Sequence, residues 1–221
     1  MAKWSTTRSA FLAAVLSVAT RTQAAVPDEA ALLAQLPAGS SLETRLDADI
    51  DGDGIADVAF VGGNEETRWL VVQFGRKGGG FEAASVRRDL DHPLGPASLS
   101  VRKGVLLVED LTGGTTATAT TYRYRFDPAT KRMRLIGLDA ERYSRTNSHD
   151  SLKISWNLLT GAHEMVRGIL NENPNSDDDA AYRYTKPERT PRKSLPVYME
   201  DTPNPDELID AELPPIDEDR D

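Results

Sequence analysis

The 221-residue chain contains no cysteine. This excludes disulfide staples, thiolate metal sites and cysteine nucleophiles. It also excludes a bacterial lipoprotein anchor, which needs a cysteine at its cleavage site. Aromatic residues are scarce, at 6%, and hydrophobic residues reach 39%, enough for a modest core. No apolar run approaches the ~20 residues that span a bilayer, so no membrane span is expected. A basic excess is missing as well. The net charge is −9, whereas nucleic-acid binding draws on basic groups that displace counterions from phosphate.

The acidity is uneven. Glu200 to Asp221 hold ten acidic groups against one base, Arg220, and the residues before them balance to zero. With Pro203, Pro205, Pro214 and Pro215 also in this stretch, residues 200–221 are expected to form a disordered acidic tail.

The N-terminus has the layout of an export signal. Lys3 and Arg8 stand before the apolar run Ala10–Ala19, and small residues follow at Thr22, Ala24 and Ala25. Residues 1–24 are therefore assigned as a signal peptide. The mature chain is expected in the periplasm or outside the cell, as a soluble monomer.

Residues 25–199 read as one domain. Asp28 and Glu29 suit the positive end of a short helix that Pro37 stops. From about Glu43 onward the signal is mainly β. Val58–Phe60 and Trp69–Phe74 are β-rich runs. Leu99–Val101 and Val105–Val108 flank a turn at Arg102-Lys103-Gly104. Tyr122, Tyr124 and Phe126 alternate with Arg123 and Arg125, the period-two pattern of a half-buried strand. Asp127-Pro128-Ala129-Thr130-Lys131 turns the chain, and Met133–Ile136 returns. Leu152–Trp156 and Glu164–Val166 form a further pair, and Leu195–Met199 a last edge strand. Short strands with regularly spaced turns predict antiparallel hairpins or a meander. These form a sandwich or a small propeller-like domain.

One segment carries distinctive chemistry. Asp49-Ile50-Asp51-Gly52-Asp53-Gly54-Ile55-Ala56-Asp57 places carboxylates at alternate positions and a glycine where a loop must turn sharply. Such carboxylates repel one another unless a dication lies between them. An all-oxygen donor set favours Ca2+ over zinc or copper. Asp49, Asp51, Asp53, the Ile55 carbonyl and Asp57 are the candidate ligands. The twelfth position, a glutamate in an EF-hand, is Phe60, and an apolar strand follows instead of a helix.

On these residues, Leu46 to Val61 resembles the calcium loop of the FG-GAP/VCBS (integrin-like) repeats, in which an acidic loop precedes a β-strand. That resemblance implies the same five ligands. The family carries several copies in tandem, and here there is one. The Tyr122–Phe126 hairpin and Asn157–Gly161 segment are also similar to small exported bacterial proteins. Some of that group look like periplasmic immunity proteins that block peptidoglycan hydrolases.

Other constellations are weaker. Gly78-Gly79-Gly80 lacks the Lys-Ser/Thr of a phosphate loop, and Arg167 stands where a zinc protease motif from His163 needs its second histidine. No G-x-S-x-G occurs. Residues 123–145 are rich in bases, and alternation places Arg123, Arg125 and Arg134 on a solvent face. These three are the candidate partner-binding residues, for an acidic partner or the chain's own tail. The reading is a non-catalytic, calcium-binding protein module, an inhibitor or immunity protein against a cell-wall hydrolase. The alternatives are a calcium-dependent wall- or carbohydrate-active enzyme, with carboxylates such as Glu109-Asp110 or Asp139 and Glu141, or a carbohydrate-binding module using Trp69 and Trp156.

Overall fold

The structure is a computed structural model that describes residues 26–88, 90–91, 93–171 and 180–213, without the side chains of Ala83 and Ala84. The expected signal peptide and residues 214–221 lie outside the described residues. The mainly-β, antiparallel expectation holds, and the sheets stack as a sandwich.

A short helix α1 (Glu29–Leu33) opens the fold; Asp28 caps it, accepting from Ala31 N at 2.9 Å. Strands β1 (Ser41–Ala48), β2 (Asp57–Gly63), β3 (Arg68–Gly75) and β4 (Phe81–Arg87) pair in sequence order as a four-stranded antiparallel meander. The second sheet holds β5 (Ser98–Arg102), β6 (Val105–Gly113), β7 (Thr116–Asp127), β8 (Arg132–Ser144), β9 (Ser151–Asn157), β10 (His163–Leu170) and β11 (Tyr182–Tyr184), again in sequence order. Two short strands join it, β12 (Glu188–Arg189) beside β10 and β13 (Val197–Tyr198) beside β8.

Side-chain alternation decides which faces meet. Ala59, Val61, Leu70, Val72 and Phe74 of the small sheet face Leu106, Val108, Tyr122, Tyr124, Met133 and Leu135 of the large one. The rings of Phe74 and Phe126 meet edge to face at 4.8 Å. Val58, Phe60 and Val71 point the other way and pack under Leu32 of α1 and Leu36 in the turn after it. β2 is thus buried on both faces, which explains its unbroken apolar run in sequence.

A buried ion cluster ties the two sheets together. Arg68 of β3 donates to both Glu43 oxygens at 2.7 Å and to both Asp110 oxygens at 2.7 and 3.0 Å. Burial works against the charge of the Glu43 carboxyl, but the Arg68 fork and the Ala97 N–H outweigh it and hold the group below the ordinary glutamate range.

The tail expectation needs correction. Residues 199–213 fold, as a 3₁₀ turn at Met199–Asp201 and a helix α2 (Pro205–Asp210) capped by Asn204. The large sheet is wider than the small one, and this segment covers part of the surplus inner face. Met199 and Ile209 are fully buried there. The acids that made the segment look unfoldable meet bases from β8 and from the connection before β13. Arg132 pairs with Glu200 and Asp201, Arg142 with Asp210, and Arg192 with Glu212.

Candidate functional site

Two places gather charged and polar side chains: the acidic loop between β1 and β2, and the outer face of the large sheet.

The loop is organised by its own carboxylates. Asp49 accepts from Gly52 N at 2.8 Å and from Gly54 N at 3.0 Å. Asp51 accepts from Asp53 N, and Asp53 from Ile55 N. Gly52 and Gly54 sit at φ 87° and 83°, a region L side chains avoid, so the sharp turn depends on both glycines. Asp57, at the start of β2, is fully buried. One of its oxygens accepts from Ile50 N at 2.7 Å and Asp51 N at 3.1 Å; the other accepts from Gly75 N at 2.9 Å.

Carboxylate oxygens of Asp49, Asp51 and Asp57 lie within 4.8 Å of one another, and this cluster can hold a metal ion. Burial pushes the Asp51 carboxyl up, with the charges of Asp53 and Asp49 adding to it. Burial likewise pushes Asp57 up, against three backbone N–H bonds. A dication would offset that cost directly. The sequence motif named five ligands, and the structure brings three of its carboxylates together. The Asp53 carboxylate is not among them, and Ile55 contributes its N–H to the turn.

Compared with protein-family models, curated proteins and solved structures, the chain shows no match.

The outer face of the large sheet is read from its register. One cross-strand row runs Glu109–Thr121–Asp139–Ser155–Glu164 across β6 to β10. The next row carries Leu111, Ala119, Glu141, Lys153 and Val166. Apart from Leu111, these residues line a groove of about 520 Å³. Three of its four outer-face carboxylates meet a cation: Asp139 with Arg123, Glu141 with Lys153, and Glu164 with Arg189. The Tyr184 hydroxyl also donates to Glu141 at 2.9 Å.

Towards the hairpin turns the same face becomes basic. Arg125 and Arg134 stand directly opposite each other on β7 and β8. Of the three candidate partner-binding arginines, Arg123 is held by Asp139 at 2.7 Å. It lies over Gly137, where an added Cβ would meet its side chain at 3.3 Å. Arg102, which the hydrophobic pattern of β5 gave no reason to single out, joins Arg125 and Arg134 in one row through Val105. Only the strand register exposes that alignment.

Trp69 and Trp156 do not share a face. Trp69 packs with the α1 cluster on the small sheet, and Trp156 with the core between the sheets. A carbohydrate platform built from both is not formed.

Proposed function

We propose that this is an exported, calcium-clamped β-sandwich that acts by binding another protein, as an inhibitor or immunity protein against a cell-wall hydrolase. It acts without catalysis of its own, as a monomer in the periplasm or outside the cell. The observation that carries this reading is the outer face of the large sheet. It is a broad face of ordered polar and charged side chains, with a groove at its centre and a basic end, that no other element covers among the described residues. Interfaces of this kind combine charge complementarity with half-buried apolar contacts, here Val105, Leu107 and Val166.

Calcium has a supporting part in this reading. Bound at Asp49, Asp51 and Asp57, with Asp53 and the Ile55 carbonyl as the further donors the motif implies, it would neutralise the loop and fix the start of β2. Ca2+ suits the all-oxygen donor set and the millimolar calcium outside cells. Export is supported by the N-terminal sequence. Val26, two residues past the assigned cut, already packs against the α1 cluster.

The groove carboxylates favour one competing reading, a carbohydrate-active enzyme. Glycoside hydrolysis needs one carboxyl protonated beside a second that is charged. Asp139, Glu141 and Glu164 each lie against a cation instead, an arrangement that suits recognition better than proton transfer.

The test is hydrolysis of purified peptidoglycan sacculi by a panel of muramidases, lytic transglycosylases and amidases, with the mature chain added at stoichiometric amounts in calcium or in chelator. Inhibition of at least one enzyme, weaker in chelator, is expected. Inhibition of none would sink the inhibitor reading, and sugar release by the chain alone would establish the enzyme.

A further inference from the structure

Arg102, Arg125 and Arg134 occupy one cross-strand row on β5, β7 and β8, with Val105 of β6 between the first two. Side chains directly opposite in adjacent antiparallel strands sit ~5 Å apart at Cβ, and like charges placed so repel. Two strand spacings separate Arg102 from Arg125, ~10 Å.

Elsewhere on the large sheet and its C-terminal cover five arginines are neutralised, although Arg145, Arg167 and Arg183 also form no ion pair among the described residues. Arg123, Arg132, Arg142, Arg189 and Arg192 each meet a carboxylate. Among the described residues, none of the three in this row forms an ion pair. Arg134 is half-buried, and its Nε is shielded from solvent without a hydrogen-bond partner. The nearest acid by register is Asp127, already engaged by the Tyr198 hydroxyl at 2.9 Å and by Thr130. Lys103 and Lys131 extend the positive charge onto the two hairpin turns beside the row. Both are exposed and both adopt positive φ, 52° and 56°.

We infer that the Arg102–Arg125–Arg134 row is the contact that engages a pair of carboxylates in the cleft of a glycoside hydrolase, which rests on the inhibitor reading above. Three features select this partner. The groups are guanidinium forks, which pair with carboxylates through two parallel hydrogen bonds where a lysine would act as a point charge. Their spacings, ~5 and ~10 Å, bracket the ~5–9.5 Å that separates the two carboxylates of retaining and inverting glycosidases. Finally, the chain carries a net charge of −9. Its field repels extended polyanions such as nucleic acid or anionic wall polymer, and a local basic row matches a discrete carboxylate pair instead. Val105 and Leu107, half-exposed on the same face, supply the apolar ground on which such arginines act as binding hot spots.

The experiment uses the mature chain with the double reversal Arg125→Glu/Arg134→Glu, the single reversal Arg102→Glu, and Lys186→Glu in an exposed loop as control. Each is titrated against a muramidase that the wild-type chain inhibits. The double reversal should raise the inhibition constant about 100-fold or more, the scale of truncating a buried charge pair. Arg102→Glu should raise it less, and the control should leave it unchanged. Thermal melting should show no loss of stability in Arg125→Ala, because removing one of two opposed like charges relieves repulsion; this separates lost contact from lost fold. Equal inhibition by wild type and double reversal would overturn the row while leaving the inhibitor reading standing. Failure of the wild type to inhibit any muramidase or transglycosylase would overturn this inference at its root, and inhibition of an amidase alone would also overturn it. Binding to heparin that the double reversal abolishes, without enzyme inhibition, would assign the row to a polyanion and likewise overturn it.

Discussion

The Gly75 N–H donates to the Asp57 carboxylate at 2.9 Å, tying the end of β3 to the acidic loop eighteen residues earlier. The approach is so close that a Cβ on Gly75 would stand 2.4 Å from the Ala56 carbonyl oxygen. The loop is therefore shaped by the sheet as well as by its own glycines. Gly75→Ala should lower both the melting temperature and the calcium affinity, because the strand end must move away from Asp57. Calorimetric titration of calcium into this variant checks it; wild-type affinity would show that the loop holds its shape alone.

Calcium itself should stabilise the fold measurably. With ~1 mM ion and a Kd of ~0.1 mM, in the range of extracellular modules, the gain is about 1.4 kcal/mol. For a domain of this size that raises the melting temperature by about 3–6 °C. Asp51→Ala should abolish the rise. Asp53→Ala should reduce it less, since the Asp53 carboxylate stands outside the three-residue cluster. An undiminished rise in Asp51→Ala would place the ion elsewhere.

Arg68→Met should be among the most damaging single changes in the protein. It leaves the Glu43 and Asp110 carboxylates facing each other without their cation, and breaking a buried pair from one side costs about 3–5 kcal/mol. The pair also predicts a pH dependence. The folded Glu43 carboxyl is held below its ordinary value, so the unfolded chain binds its proton more readily. The contribution is complete above the ordinary glutamate value of 4.5 and is lost as pH falls below it. Acid unfolding of Glu43→Gln should lack this component; a profile parallel to wild type would remove Glu43 from the account.

Ile209→Ala tests the C-terminal segment. Ile209 is fully buried on the inner face of the large sheet, and deleting such a side chain costs about 2 kcal/mol or more. A disordered tail would show no effect. Salt should weaken the segment as well, because its partly exposed pairs with Arg132 and Arg142 are screened. Hydrogen exchange across residues 199–213 in low and high salt reads this directly.

Much of the strand pattern was legible because alternation is local. Tyr122, Tyr124 and Phe126 face the core or its margin while Arg123 and Arg125 face out, as their period requires. The acidic loop was legible for the same reason, since its carboxylates lie within nine residues and need only the chain to curl. The last predicted strand was less so. Val197–Tyr198 pairs with Arg134 and Leu135, in line with β9 and not at an outer edge. That position exists because β8 is far longer than β9 and leaves its first residues open.

Composition was misleading at the C-terminus. Within residues 200–213, six acids and two prolines describe a solvated tail only while no cation is near. Arg132, Arg142 and Arg192 lie distant in sequence from most of the acids they meet, and no local rule foretells the match.

The sequence by itself determined the antiparallel β character, the acidic loop and the outward direction of Arg123, Arg125 and Arg134. Each depends on neighbours a few residues away. Tertiary structure alone decided that Asp57 is buried under Gly75, that Asp139 occupies Arg123, and that Arg102 lines up with Arg125 and Arg134. These depend on strand register and on how the sheets meet. A one-residue slip in pairing would send every side chain of a strand to the opposite face.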